Sequence, residues 1–170
     1  FPGNPRGASH GGLRWTGAGP AAATVTSATL AVKARNLVGT ITNIHGIIYG
    51  DDVDTAAEWA NDSRPDQITQ TTASTAFDPT VWTIDTVYSY DVTTIIAEII
   101  ARAGWATGQV MRLAILNNGS TSGEYVRMYD YADGITSTLT IVYTEGGAAG
   151  HPAVKRMGGV PFVATNRGVW

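Results

Sequence analysis

The sequence predicts an all-β protein, an antiparallel jelly-roll β-sandwich with one short crossover helix and extended N- and C-terminal arms. Most of the chain is rich in Thr, Val, Tyr and Gly, a composition typical of strands and turns. One segment, at about residues 93–102, instead carries isoleucines at helical spacing. Gly and Pro are frequent at the two chain ends, and residues 1–20 cannot bury enough apolar surface to fold alone.

Strands are predicted on both sides of the helix. In the first, residues 24–36, apolar side chains fall on one face and Lys33 and Arg35 on the other, which is typical of a half-buried strand. Asp85 marks a turn before the strand that leads into the helix. The other predicted strands cover residues 39–50, 69–76, 81–84, 88–92, 110–116, 124–131 and 139–143. Some eight short strands with one helix favour a sandwich.

The helix carries its own start and stop signals. Asp91 or Thr93 can cap its first amides, and Glu98 and Arg102 have the i, i+4 spacing of a modest ion pair. Gly104 is expected to end the helix in a left-handed conformation. The predicted buried stripe consists of Ile95, Ile96, Ile99 and Ile100.

The order of these segments resembles a known family. The strings S-A-T-L-A-V (27–32), I-Y-G-D-D-V-D-T-A-A-E-W (48–59), Y-S-Y-D-V-T-T-I-I-A-E-I-I-A-R-A-G-W-A-T-G-Q (88–109) and T-L-T-I-V-Y (138–143) carry the resemblance. They are similar to the DNRLRE-like jelly-roll domains, which are related to carbohydrate-binding modules. Such domains occur in bacteriophage structural proteins and in secreted bacterial proteins. The resemblance covers roughly residues 24–144 and implies a structural or adhesive role.

The chain divides into one domain and two arms. Residues 1–20 form the predicted N-terminal arm, 21–145 the jelly-roll domain and 146–170 the C-terminal arm. Extended arms of this composition gain order by docking, for example on an exposed sheet edge of a neighbouring copy. The residues expected to dock are Phe1, Trp15, Met157, Val160, Phe162 and Trp170.

Composition restricts the partners and the chemistry. The net charge is -3 with 11 Lys and Arg, so a nucleic-acid partner is disfavoured. The absence of cysteine removes disulfides and thiolate chemistry. No apolar run is long enough to span a membrane. The sequence at the N-terminus does not have the pattern of a signal peptide.

Two groups of residues are candidate binding sites. The acidic run Asp51, Asp52 and Asp54 could bind Ca²⁺, although an exposed acidic connection needs no metal and no other cofactor is indicated. Tyr125, Tyr129 and Tyr131 alternate along one predicted strand and could stack on a glycan or fill a subunit interface.

No catalytic constellation is evident. The histidines His10, His45 and His151 are far apart in sequence, and no spacing links them to each other or to a carboxylate. Serine occurs without a nucleophile-elbow motif. The chain is therefore expected not to be an enzyme.

The function expected from these observations is structural. We expect a virion or extracellular location, as a bacteriophage virion component (capsid decoration or tail) or an extracellular filament subunit. Its partners would be copies of itself and other structural proteins, assembled through the terminal arms. The alternative is a carbohydrate-binding module of a secreted or cell-surface protein, which needs an exposed aromatic face.

Overall fold

A computed structural model describes residues 10–19, 21–38, 44–59, 65–79, 81–120, 125–129, 134–135, 137–145 and 152–157. The strands are β1 (Gly11–Trp15), β2 (Ala23–Val38), β3 (Gly46–Asp51), β4 (Gln70–Phe77), β5 (Val87–Asp91), β6 (Met111–Asn117), β7 (Tyr125–Met128), β8 (Thr138–Glu145) and β9 (Pro152–Met157). The α-helix α1 spans Thr93–Ile100, and a short 3-10 helix spans Pro65–Gln67.

The strands form two antiparallel sheets. The first has the order β1-β6-β3-β4, and the second has the order β5-β2-β8-β9, with β7 paired to the far half of the long strand β2. The predicted all-β sandwich with a single short helix is therefore confirmed for the described residues. The finer jelly-roll assignment stays a prediction.

The core lies between the two sheets, where alternate residues of each strand point inward. On β2 the inward residues are fully buried while Thr29 and Arg35 on the opposite face are exposed, which follows from the period of two along a strand. The largest fully buried side chains of the sheets are Trp15, Leu30, Val32, Ile48, Met111, Leu113, Leu139 and Ile141.

Helix α1 packs on β2, β3 and β4 and adds its apolar face to this core. The four isoleucines of the predicted stripe are buried, each at most 3% exposed, so that prediction is confirmed. Each contributes on the order of 2 kcal/mol of transfer free energy. The helix approaches β3 closely because Gly50 has no side chain, and a Cβ there would lie 2.6 Å from Cδ1 of Ile99.

Two expected details of the helix are wrong. Glu98 does not pair with Arg102, because its carboxylate accepts the backbone N–H groups of Thr72 and Ala73 in β4 at 2.7 and 2.8 Å. Gly104 does not adopt a positive φ. It leaves room for the carboxylate of Asp54 instead, which a Cβ at this position would force to shift.

The boundaries of the predicted arms also differ from the structure. Gly11–Trp15, expected in the N-terminal arm, is strand β1, and Leu13 pairs with Leu113 of β6. Trp15 is 2% exposed and belongs to the core rather than to a docking arm. Five residues that begin with two glycines are too short a pattern to predict a strand.

Part of the predicted C-terminal arm is a strand as well. Pro152–Met157 forms β9, which pairs with β8 and ends at Met157. Phe1, Val160, Phe162 and Trp170 lie outside the described residues.

Candidate functional site

Exposed apolar side chains are concentrated at one place on the surface. Among the described residues, the large apolar side chains that are exposed are Val81 at 69%, Ile84 at 47% and Val87 at 58%. All three lie in the connection from β4 to β5 or at the first residue of β5, which is an edge strand of the second sheet. Exposed large apolar side chains that fall within one short stretch of chain make that stretch a candidate interaction surface.

Aromatic side chains hold this connection from beneath. Trp82, 7% exposed, packs against Phe77 and Tyr88 with ring centroids 5.3 and 4.6 Å away. The Tyr88 hydroxyl accepts the N–H of Thr83 at 2.6 Å and donates to the carbonyl of Val81 at 3.1 Å. Trp82 is thus buried in this connection, whereas its neighbour Val81 is exposed.

The turn before β5 is fixed by the backbone of β2. The Asp85 N–H donates to the Ala34 carbonyl at 2.8 Å, and the Ala34 N–H donates to the Thr86 carbonyl at 3.0 Å. Asp85 has φ +64°, a left-handed conformation that Asp tolerates better than most residues. The predicted turn at Asp85 is thus confirmed, and it places Ile84 at the surface.

A polar group borders the apolar side chains. Asp85 Oδ1 lies 2.9 Å from Lys33 Nζ and accepts the Tyr129 hydroxyl at 2.8 Å. Lys33 Nζ also lies 4.9 Å from the centroid of the Tyr129 ring. Lys33 is opposite Val87 in the β2–β5 register, so the polar group adjoins the apolar one. We call Val81, Ile84 and Val87 with this border of Lys33, Asp85 and Tyr129 the β5 corner.

The charges of the border stabilise each other. The hydrogen bond with Asp85 raises the pKa of Lys33, and the hydrogen bonds from Lys33 and then Tyr129 lower the pKa of Asp85. Because the Asp85 side chain is 61% exposed, solvent screens the pair and it adds little to stability. Its effect is to fix the position of the Tyr129 ring beside the apolar residues.

The predicted tyrosine series is only partly brought together. Tyr129 joins the β5 corner, whereas Tyr125 lies in β7 with the guanidinium of Arg127 5.6 Å from its ring centroid. Both tyrosines are half-buried, and Tyr131 lies outside the described residues. Each described tyrosine ring of the series thus already has a cation near it.

Tryptophan does not supply a stacking platform in the described part of the chain. Trp15, Trp59, Trp82 and Trp105 are each at most 9% exposed. A pyranose ring needs an open aromatic face, so these four residues count against a tryptophan-based glycan site. Trp170 lies outside the described residues.

Asp51, the first residue of the acidic run, is buried in an ion pair. Its side chain is 1% exposed, and Oδ2 accepts the Nε of Arg112 at 2.8 Å and also contacts Nη2 of the same guanidinium. Arg112 lies 4.4 Å from the ring centroid of Trp59, which covers Gly12 of β1. The pair therefore links the last residue of β3 to the neighbouring strand β6.

Asp52 and Asp54 share one arginine. Arg102, just past α1, places Nη1 2.5 Å from Asp52 and Nε 2.8 Å from Asp54. The hydrogen bond with Asp54, followed by that with Asp52, raises the pKa of Arg102. Within the described ranges no three or more His, Asp and Glu side chains are grouped as metal ligands would be, so calcium binding stays without structural support.

The structure brings together a His, an Asp and a Ser that sequence spacing could not connect. His45 Nδ1 lies 2.7 Å from Asp78 Oδ1. Ser120 Oγ is close to His45 but accepts its backbone N–H at 2.9 Å and donates to its carbonyl at 2.8 Å. Since the hydroxyl is bonded to the backbone and not to the imidazole, this arrangement is not that of an activated nucleophile.

Tyr90, in β5, is a further aromatic residue near the corner, and burial changes the pKa of its phenol. Tyr90 of β5 stacks on Phe77 with ring centroids 4.6 Å apart. Its burial raises the pKa of the phenol above the ordinary value of 10.0. Tyr90 therefore acts as part of the aromatic support and stays neutral.

Comparison of the chain with protein-family models, with curated proteins and with solved structures finds no match. The resemblance to DNRLRE-like domains thus stays a prediction. Among the described residues, no helix has the length and apolar character needed to span a membrane.

Proposed function

We propose that this protein is a non-enzymatic structural protein that assembles with copies of itself, and that the β5 corner is one of its contact surfaces. The observation that carries the proposal is that Val81 and Ile84, in the connection into the edge strand β5, and Val87, its first residue, are exposed, with the Lys33–Asp85 ion pair opposite Val87. An apolar centre with a polar, aromatic-containing rim is the usual composition of a protein interface.

The setting we propose is a bacteriophage virion, as a capsid-decorating or tail protein, or an extracellular filament. The absence of cysteine and the low content of charged residues, 15%, suit a domain that packs against neighbours. The finer jelly-roll assignment belongs to this proposal. It is supported by strand orders in which spatial neighbours such as β1 and β6, or β2 and β8, are distant in sequence.

The experiment that tests the proposal is sedimentation velocity over a range of concentrations. We expect the average mass of the full chain to rise with concentration. The triple variant Val81→Thr, Ile84→Thr, Val87→Thr removes methyl groups at the corner while keeping β-branched side chains, and it should weaken assembly by tenfold or more, as the loss of about 1.4 kcal/mol requires.

The matched control is Val142→Thr, which makes the same change on the outer face of β8, away from the corner. It should assemble like the unchanged chain. A full chain that stays monomeric at every concentration contradicts the proposed function. A triple variant that assembles as well as the control contradicts the assignment of the corner.

A further inference from the structure

The chain leaves the second sheet at the edge opposite the β5 corner. Met157, the last residue of β9, is in register with Leu139 of β8, which is in register with Leu30 of β2 and through it with Tyr90 of β5. Three strand spacings therefore separate Met157 from β5, a distance of about 14 Å. The exit point and the corner lie on the two edges of one sheet.

The exit also points toward the end of the sheet where the corner lies. Strands β9 and β2 are both antiparallel to β8, so they run in the same direction. Along β2 that direction leads from Leu30 to Lys33, which is opposite Val87. Strand β9 thus ends at Met157 while running toward the corner's end of the sheet.

The segment that follows has the chemistry to fill an apolar surface. Residues 158–170 read G-G-V-P-F-V-A-T-N-R-G-V-W, with five large apolar side chains, one Arg and no acidic residue. Fully extended, such a segment reaches on the order of 40 Å. Length therefore permits it to reach either its own corner or that of an adjacent copy.

A path from Met157 back to its own corner crosses β8 and β2. On the outer face the pair next beyond the Met157 row is Thr138 with Ala31, and β7 continues beside β2 from there. A contact of the segment with its own corner would close that surface within one molecule. The proposed self-assembly requires instead the corner of a neighbouring copy.

From these observations we infer that residues 158–170 of one copy bind the β5 corner of the next copy, an inference that rests on the proposed self-assembly. The contact is heterologous, because donor segment and acceptor corner are different surfaces at opposite edges of one sheet. Heterologous contacts form rings when the rotation between copies closes, and open filaments when it does not.

The inference is tested by complementation between two full-length variants. The tail variant carries Val160→Ser, Phe162→Ser and Trp170→Ser, and the corner variant carries Val81→Thr, Ile84→Thr and Val87→Thr. Each variant alone should be monomeric at concentrations where the unchanged chain assembles. An equimolar mixture should form dimers only. The intact tail of the corner variant binds the intact corner of the tail variant, and the two surfaces that remain free are the substituted ones.

The outcomes separate the inference from the proposed function. An unchanged chain that is monomeric overturns both. An unchanged chain that assembles together with a tail variant that assembles equally well overturns the inference alone. Two monomeric variants that do not pair when mixed overturn binding between copies.

The cysteine-free sequence allows a second, direct test. A chain with Val87→Cys mixed with a chain with Phe162→Cys should give a disulfide-linked dimer of the two different chains under oxidation. The mixture of Val142→Cys with Phe162→Cys is the matched control and should not. Equal crosslinking in both mixtures contradicts the inference.

Discussion

Asp91 connects the end of β5 to the first turn of α1 through one carboxylate oxygen. Oδ1 accepts the backbone N–H of Thr93 at 2.9 Å and its hydroxyl at 2.5 Å. The Thr93 Oγ in turn accepts the N–H of Ala28 in β2 at 2.8 Å. The start of the helix is thereby tied to both neighbouring strands of the second sheet.

This arrangement predicts a pH dependence. The hydrogen bond from the Thr93 hydroxyl, followed by that from its N–H, lowers the pKa of Asp91 below 3.8. A lowered folded-state pKa means that the stabilisation is complete above the unfolded pKa and is lost as pH falls through the folded value. The variant Asp91→Asn should reduce the free energy of unfolding at pH 7 by at most about 1 kcal/mol, since the side chain is exposed.

Urea unfolding at several pH values checks this prediction. The difference between Asp91→Asn and the unchanged chain should shrink toward zero as the pH is lowered below 3.8. A difference that is the same at pH 7 and at pH 3 would show that the carboxylate charge has no part in it.

At the scale of elements, the edge strands β4 and β5 differ in whether a side chain occupies their backbone N–H groups. Strand β4 is an edge of the first sheet, and Glu98 of α1 occupies two of its backbone N–H groups. Strand β5 is an edge of the second sheet and begins with the exposed Val87. Unprotected edges invite pairing with other chains, so Glu98 lowers this tendency at β4 and leaves it unchanged at β5.

Removal of the Glu98 carboxylate should open the β4 edge. Glu98→Ala leaves two amides without their acceptor, and a loss of about 1–3 kcal/mol in the free energy of unfolding is expected. Hydrogen exchange at Thr72 and Ala73 should accelerate. Glu98→Gln keeps one oxygen acceptor and should lose less.

Glu58→Ala is the control for this prediction. The Glu58 side chain is 84% exposed and lies 3.6 Å from Arg14, so its removal should cost almost nothing. If Glu98→Ala is no less stable than Glu58→Ala, the carboxylate does not protect the edge.

The isoleucine helix and the alternating strand β2 could be predicted because their periodicity is local. The ion pairs of Asp51 with Arg112 and of Asp52 and Asp54 with Arg102 could not, since 61, 50 and 48 residues separate the partners. An acidic run looks the same in sequence whether it faces a cation of the solvent or an arginine of the same chain. Only the fold decides between them.

The β5 corner was missed for a related reason. Val81, Ile84 and Val87 have the composition of an ordinary strand, and nothing in the sequence indicates that Trp82 alone of this group turns inward. The same limit applies to His45 and Asp78, which are 33 residues apart. Tyr129, by contrast, was a candidate from sequence and does lie at the corner.

At the scale of the whole molecule, the first sheet is completed by residues near the start of the chain. Strand β1 pairs with β6 and inserts Leu13 and Trp15 between the sheets. The trailing strand β9 likewise completes the second sheet. Both segments are thus part of the sandwich of one copy, and the proposed assembly begins beyond Met157.

Trp15→Ala should therefore destabilise the isolated chain. Removal of a buried indole costs about 3–5 kcal/mol, which should lower the urea midpoint markedly. Arg14→Ala, at the neighbouring position on the outer face of β1, should have a much smaller effect. An unchanged urea midpoint for Trp15→Ala would contradict the inclusion of residues 11–15 in the core of the same copy.

The position of Trp82 has an optical consequence. Its indole is 7% exposed, belongs to the same connection as Val81 and Ile84, and has its ring centroid 4.6 Å from that of Tyr88, while Trp15, Trp59 and Trp105 are buried outside this connection. A side chain that covers the corner changes the solvent dipoles near Trp82 and leaves those near these three buried residues unchanged. Trp170 lies in the proposed binding segment, so its emission changes as well. The difference in fluorescence emission between the unchanged chain and Trp82→Phe thus reports the emission of Trp82 alone. A shift in that difference measures how much of the β5 corner is occupied, without an added label.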